Sequence, residues 1–573
     1  MVSKRVFSLS CVFCLLVLLA LPAVSSQATS APAANAGLNS GFRRGFFDDL
    51  AIGAPYDDPD IQIQNMFGVV NALFGSFWGL TPIDDQRIDE NYGNVNSTEF
   101  GDWFGHALAA GDFDGDGFMD LAVGIPGKGD TPYSQSGMVQ IFYGCYQGLA
   151  SLGTKVWTQS SPGIFGDIQY TGQFGYSLAA GDINGDGYDE LAIGAPYYDH
   201  DYSNDGIVVI LNGTSVGLTA TGSEFVCQDG FIIPDPSEED DLFGYALTIG
   251  DFNADGYGDL VIGTPHESLG ATAAAGIIHV IPGYSGGLSN GGIKTFSQDT
   301  AGVPGNVHEN DHFGWALTTG DFDGDGYTDL AIGAKKDWVY NCDYGSVTVL
   351  FGSDNGLPAG LYTNEAFYPE EFGVGVPHLG ASLAAADFNG DGYDDLAAGG
   401  PNAFYYDTLA AGGPHPSEHA ANAGYVHVRY GSPDGFIAPF ILSASLAIPY
   451  PENIFLNTCN FHWEPTPYDR FGYAVAAGDF NGDWLADLAI GIPYYDDGCV
   501  VEDADFGGVL ILYSNLSSGI DCNGAWLITQ DAEGLQEEIG YKDHFGYALA
   551  STYRKVDHLF FPIIKRYYYY IVP

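Results

Sequence analysis

The sequence predicts an all-β chain: a seven-bladed β-propeller of four-stranded blades, its ring closed by pairing N-terminal strands with a C-terminal strand. Three observations predict it. Short apolar segments alternate with period two between glycines, and no long helical stripe interrupts them. An acidic nine-residue loop recurs six times. The repeat around it spans about 70 residues and carries four strand-like segments, the size of a propeller blade.

The chain opens with Lys4 and Arg5, then an apolar run from Val6 to about Val24, then Ser25 and Ser26. This is the pattern of a secretory signal peptide over 1–26, followed by a linker over 27–40 and a propeller over 41–550. No later apolar run is as long as a membrane-spanning helix, so no direct membrane insertion is expected. Residues 551–573 form an atypical tail without repeat features. Beyond the leader lie Cys145, Cys227, Cys342, Cys459, Cys499 and Cys522, an even number that permits disulfides or buried thiols. Sequons stand at Asn96, Asn212 and Asn515. Seventeen basic against 73 acidic residues give a net charge of −56, a field that repels nucleic acid and anionic membranes.

Within each repeat the first segment opens with Phe-Gly and small residues: Phe104-Gly105, Phe174-Gly175, Phe243-Gly244, Phe313-Gly314, Leu379-Gly380, Phe471-Gly472 and Phe545-Gly546. Ala107, Ala109 and Ala110 are of the kind that suits an innermost strand, where blades crowd at the axis. The second segment follows the loop, from Leu50 (LAIGAP) and Leu121 (LAVGIP) to Leu488 (LAIGIP). The third runs between glycines, as in Gly206–Gly213 and Gly345–Gly352. The fourth is looser, for example 155–160.

Openers, second segments and third segments each number seven, but acidic loops number six. The first unit lacks an opener and the last has nothing after its opener at Phe545–Ala550. Together they make one blade, which removes two sheet edges. The steps between loops are 70, 69, 70, 66 and 92 residues. The longest step contains insertions over 402–423 and 437–470, of the kind that forms surface loops.

The loops are the candidate metal sites. They comprise Asp112, Asp114, Asp116, Phe118 and Asp120; Asp182, Asn184, Asp186, Tyr188 and Glu190; and Asp251, Asn253, Asp255, Tyr257 and Asp259. The other three are Asp321, Asp323, Asp325, Tyr327 and Asp329; Asp387, Asn389, Asp391, Tyr393 and Asp395; and Asp479, Asn481, Asp483, Leu485 and Asp487. Side-chain oxygens at positions 1, 3, 5 and 9, with the carbonyl of position 7, suit a hard cation of calcium size. Glycine at position 6 allows the turn, except that Trp484 replaces it in the last loop and is expected to distort or weaken that site. Without His or Cys ligands zinc is disfavoured, and magnesium keeps its waters. Position 12 is apolar where an EF-hand needs Glu, so these are hairpin loops. Up to six Ca2+ ions are expected. In the first unit the equivalent positions read Gly41, Arg43, Gly45 and Asp49, of which only Asp49 could bind a cation.

With Phe-Gly openers, DxDGDG-type loops and GAP-type closers together, the sequence resembles the FG-GAP repeat family, best known from the N-terminal propellers of integrin α subunits. The resemblance covers about 45–550. It implies a seven-bladed propeller with calcium loops between first and second strands on one face, and ligands or partner subunits on the opposite face. Six intact loops are more than typical integrin α propellers carry, and resemble microbial and protist members. The leg domains and membrane anchor of an integrin subunit are not found in this sequence.

The expected function is therefore that of an exported calcium-stabilised scaffold that binds an extracellular protein or glycan without catalysis. One alternative is a secreted propeller enzyme, a hydrolase or lyase. Its sharpest candidate is His415-Pro416-Ser417-Glu418-His419, an H-x-x-E-H string that needs a helix, which Pro416 opposes. The other alternative is a fragment of a larger integrin-like receptor.

Overall fold

Gly105 and Gly124 show how the blades join. The N–H of Gly105, in an opener, donates to the carbonyl of Gly124, in the following second strand, at 3.2 Å. A Cβ on Gly124 would collide with the carbonyl of Gly175, which opens the next blade. The same collision faces Gly53, Gly194, Gly263, Gly333, Gly399 and Gly491, each against the opener glycine one blade on. The two short motifs of the repeat are therefore one interface. The openers themselves adopt positive φ, as at Gly105 (87°) and Gly175 (88°), which glycine alone adopts without strain.

The computed structural model describes residues 41–42, 47–57, 67–92, 101–129, 134–150, 153–166, 168–228, 233, 236–339, 342–358, 364–369, 377–403, 405–406, 419–420, 422–436, 452–454, 468–495, 506–516, 519–530, 532, 535 and 543–553. The signal peptide, the linker, the tail from 554, Asn96, Cys459, Cys499 and most of the two insertions lie outside them. The described part is all strand and turn.

Seven four-stranded antiparallel sheets form the blades. Blade 2 runs outward through Ala107–Gly111, Asp120–Ile125, Met138–Phe142 and Lys155–Trp157. Blades 3 to 7 repeat that order, beginning at Ser177–Gly181, Ala246–Gly250, Phe313–Gly320, Ser382–Ala386 and Val475–Gly478. Blade 1 is composite. Its outer three strands are Leu50–Ala54, Val69–Phe74 and Thr81–Ile88, and its innermost is Ala548–Ser551, which pairs Leu50 with Ser551 and Gly53 with Ala548. Past that strand, Thr552 Oγ1 accepts from Asp49 N at 2.9 Å. The closure expected from the count of segments is present.

The second strand of every blade is buried along its whole length. These strands pack against a neighbouring blade on each face, so they read as continuous apolar runs. Seven hydrophobic clusters fill the seven blade interfaces, from blades 1 and 2 (Ala51, Phe104, Leu121) round to blades 7 and 1 (Ala489 and Ile511 against Leu50 and Ile52). Each opener phenylalanine is fully buried, as is Leu379 in its place. Such a side chain contributes about 1.5–3 kcal/mol by leaving water.

Candidate functional site

Each acidic loop joins a blade's first strand to its second, so all six lie at one face. Their backbones are folded by their own acidic side chains. The position-1 carboxylate accepts from the N–H of position 6: Asp112 from Gly117 (3.1 Å), Asp182 from Gly187 (2.9 Å), Asp251 from Gly256 (2.8 Å), Asp321 from Gly326 (3.3 Å) and Asp387 from Gly392 (2.9 Å). Position 5 accepts from position 7, as Asp116 does from Phe118 at 2.9 Å. These are the local turns that Asp and Asn favour.

Trp484 keeps this geometry. Its N–H donates to Asp479 at 2.9 Å and its φ is 73°, so the last loop has the same backbone as the others. The distortion expected there is confined to strain at a residue that has a Cβ.

Position 9 is a buried tie. Asp120 accepts from Phe113 N (2.9 Å) and from Gly144 N (2.7 Å), the latter beyond the third strand. Glu190, Asp259, Asp329, Asp395 and Asp487 do the same in their blades. Burial pushes these acids up: Glu190 and Asp329 to about 8 and Asp259 to about 6. Neighbouring loop carboxylates add to the rise, Asp323 and Asp321 in the case of Asp329.

Where position 3 is Asp, three carboxylates converge. Oxygens of Asp112, Asp114 and Asp120 lie within 4.8 Å of one another, as do those of Asp321, Asp323 and Asp325. An all-oxygen, mutually repelling set of this kind has the donor chemistry of a Ca2+ site, and a bound cation would take the place of the protons that the raised acids otherwise hold. In the loops with Asn at position 3, an amide oxygen replaces one carboxylate: Asn253, Asn389 and Asn481 accept from position 5 at 2.8–2.9 Å. Asn184 differs. Its Nδ2 donates to Glu190 Oε1 at 2.8 Å, closer than the matching contact of Asn481 with Asp487 at 3.4 Å.

The loops are also chained to one another. The N–H of position 8 donates to the position-1 carbonyl of the preceding blade: Asp189 to Asp112, Gly258 to Asp182, Thr328 to Asp251, Asp394 to Asp321, Ala486 to Asp387 and Asp48 to Asp479, at 2.9–3.3 Å. Met119 completes the hoop by donating to Gly41 at 3.2 Å. The segment before Leu50 thus occupies the seventh loop position, with Phe42 buried as the other position-2 residues are, although it joins no hairpin. Asp189, Asp394 and Asp48 reinforce the chain, accepting from Asp112 N, Asp321 N and Asp479 N at 2.7–2.8 Å.

Other candidates fare differently. His419 lies in a two-residue strand opposite Tyr406, away from the helix that a zinc-protease string needs, and 415–418 lie outside the described residues. Cys145 and Cys342 carry free thiols. Asn212 and Asn515 direct their amides to Thr221 O (3.1 Å) and Asp521 (2.9 Å).

The FG-GAP repeat pattern matches residues 104–142, 174–211, 243–281, 313–350, 379–428 and 471–512. The chain belongs to the FG-GAP repeat family. It is 34% identical to integrin alpha-5 of Xenopus laevis over 40% of this chain and 20% of that protein. It is 31% identical to integrin alpha-PS2 of Drosophila melanogaster over 42% of this chain and 16% of that one. Phosphatidylinositol-glycan-specific phospholipase D of Rattus norvegicus is 36% identical over 26% of this chain and 17% of its own length. The chain thus matches about a fifth or less of each of these relatives. Among solved structures, the exotype rhamnogalacturonan lyase YesX is similar with a TM-score of 0.36 and 12% identity, over 77% of this chain and 68% of that one. No helix among the described residues is long and apolar enough to cross a membrane.

Proposed function

We propose that this FG-GAP propeller is exported, binds calcium in its six loops, and serves as a non-catalytic scaffold for an extracellular protein or glycan. The observation that carries the reading is the hoop: every loop is hydrogen-bonded to the next, so an ion that fixes one loop also steadies its neighbours. The sequence similarity to integrin alpha chains supports a protein ligand. Calcium binding then becomes folding stability. A site at 100 times its dissociation constant contributes about 2.7 kcal/mol, and extracellular modules bind at roughly 0.1–1 mM. Calorimetry of the full chain in millimolar calcium and in chelator tests this. A rise of many degrees with calcium is expected, and an equal melting point in both would sink the proposal.

The similarity to a phospholipase D gives an enzyme reading some footing, over 26% of the chain. Assay of the purified chain against glycosylphosphatidylinositol and against pectic polysaccharide distinguishes the two. The scaffold reading expects no turnover of either.

A further inference from the structure

The face opposite the metal loops carries a feature of opposite charge. Two positions per blade reach that face: the turn after the second strand, and the residue before the opening Phe-Gly. Around blades 4 to 7 they hold His266, His312, Lys335, Lys336, His378 and Arg470. The repeat marks one of these by exception. Where six repeats have Pro55, Pro126, Pro196, Pro265, Pro401 and Pro493, the fifth blade has Lys335. A local rule broken once, with a charge in place of a turn former, points to function rather than folding.

The six groups form one cluster. The rings of His266 and His312 are 4.8 Å apart, and His312 stacks on Trp315 at 5.6 Å and 20°. Lys335 Nζ lies over the Trp315 ring, and Arg470 lies over Tyr494 at 4.5 Å. His378 shares a hydrogen bond with Asn402 at 2.8 Å. Burial depresses His312 and His378 first, and the charges of Lys335 and Lys336 depress both further.

No carboxylate answers these cations among the described residues. Elsewhere in this acidic chain, Arg87 pairs with Asp57, and Lys128 with Glu90 and Asp102. Lys155 and Lys294 are spent on carbonyls. Neither the Lys335 nor the Lys336 ammonium has a hydrogen bond or ion pair there, and Nδ1 of His312, a residue only 6% exposed, has no hydrogen-bond partner. Asp240 acts on His266, and it already accepts from Asn204 at 2.7 Å. Half-buried cations left without counter-charge cost stability, yet 73 acidic residues stand in the chain.

We propose that this cluster binds a single carboxylate, an Asp or Glu side chain of a protein partner whose surrounding segment is neutral or basic. Net charge selects among anions. A polyanion meets the repulsion of a −56 molecule on approach, whereas one carboxylate on a neutral or basic segment does not. Arg470 and Lys336 supply charge-assisted donors, and the rings of Trp315, Tyr245 and Tyr494 supply an apolar wall. The proposal rests on the scaffold reading and gives the partner's chemistry.

The test uses the calcium-loaded full chain and two blocked pentapeptides, Gly-Gly-Glu-Gly-Arg and its Gln counterpart, with oligogalacturonate and inorganic sulfate as further probes. Binding is read by tryptophan fluorescence and calorimetry. The Glu peptide is expected to bind at least about tenfold more tightly than the Gln peptide, and Lys336→Ala and Arg470→Ala to weaken it about tenfold each, as charged hydrogen bonds warrant. Unchanged calcium-dependent melting shows that the variants fold, and Lys336→Arg is expected to retain binding. Equal binding of the two peptides, no binding, or preference for oligogalacturonate or sulfate overturns the proposal. Capture of an extracellular protein that survives both substitutions overturns it too, while leaving the scaffold reading intact.

Discussion

Trp484 holds a φ of 73° at a place where five sister loops use glycine. A Cβ in that conformation costs roughly 1–3 kcal/mol, and glycine returns part of this in unfolded-chain entropy. Trp484→Gly is therefore expected to raise stability by about 1 kcal/mol, measured as a shift in denaturant midpoint. The reverse experiment is Gly124→Ala. Its new methyl meets the Gly175 carbonyl, and overpacking of that kind costs about 1–3 kcal/mol, read in the same way. The position-6 glycine could be read from sequence because its reason lies inside the loop. The reason for Gly124 lies 51 residues downstream, in the next blade, so its role emerges only on folding. Asn184 is another such case. Its amide donates to Glu190 Oε1 at 2.8 Å, a contact that its place in the loop does not announce.

At the scale of the hairpin, the position-9 acids set a pH dependence. Glu190 rises from 4.5 to about 8 and Asp329 from 3.8 to about 8 in the folded, metal-free chain. A raised folded-state pKa means that the folded form binds more protons, so stability is fully present below the unfolded value and is lost as pH rises through the folded one. The chelated protein is thus expected to melt at lower temperature at pH 8.5 than at pH 5. With calcium present, the loss over that window should shrink, because the ion stabilises the ionised carboxylates. Within one loop, Asp323→Ala removes a converging carboxylate. It should reduce the calcium bound per chain by one, counted by native mass spectrometry, and leave the other loops filled. The spacing of oxygens was legible from sequence alone. The double tie made by position 9 was not, since the glycines that close the third strands, Gly144 and Gly352 among them, are visible as punctuation but give no sign that their amides donate to it.

For the whole molecule, the decisive count was seven openers against six loops, and pairing Gly53 with Ala548 bears out the closure drawn from it. A chain ending at residue 542 is expected to lose that pairing and to melt in a broad transition well below the intact chain, seen by calorimetry. The basic cluster was legible only in part. The lysine that breaks the GAP signature stands in plain view at 335, but its association with His266, His312, His378 and Arg470 needs four blades to be assembled. The hoop of position-8 amides was hidden for another reason. Backbone donors leave no trace in composition.

The composite blade has a consequence for biosynthesis. Leu50–Ala54 leaves the ribosome some 500 residues before its inner neighbour Ala548–Ser551, a wait of roughly 25–100 s at about 5–20 residues per second. Throughout that interval an apolar strand has a bare edge while later blades are already assembling. The final strand acts as the latch that ends this hazard.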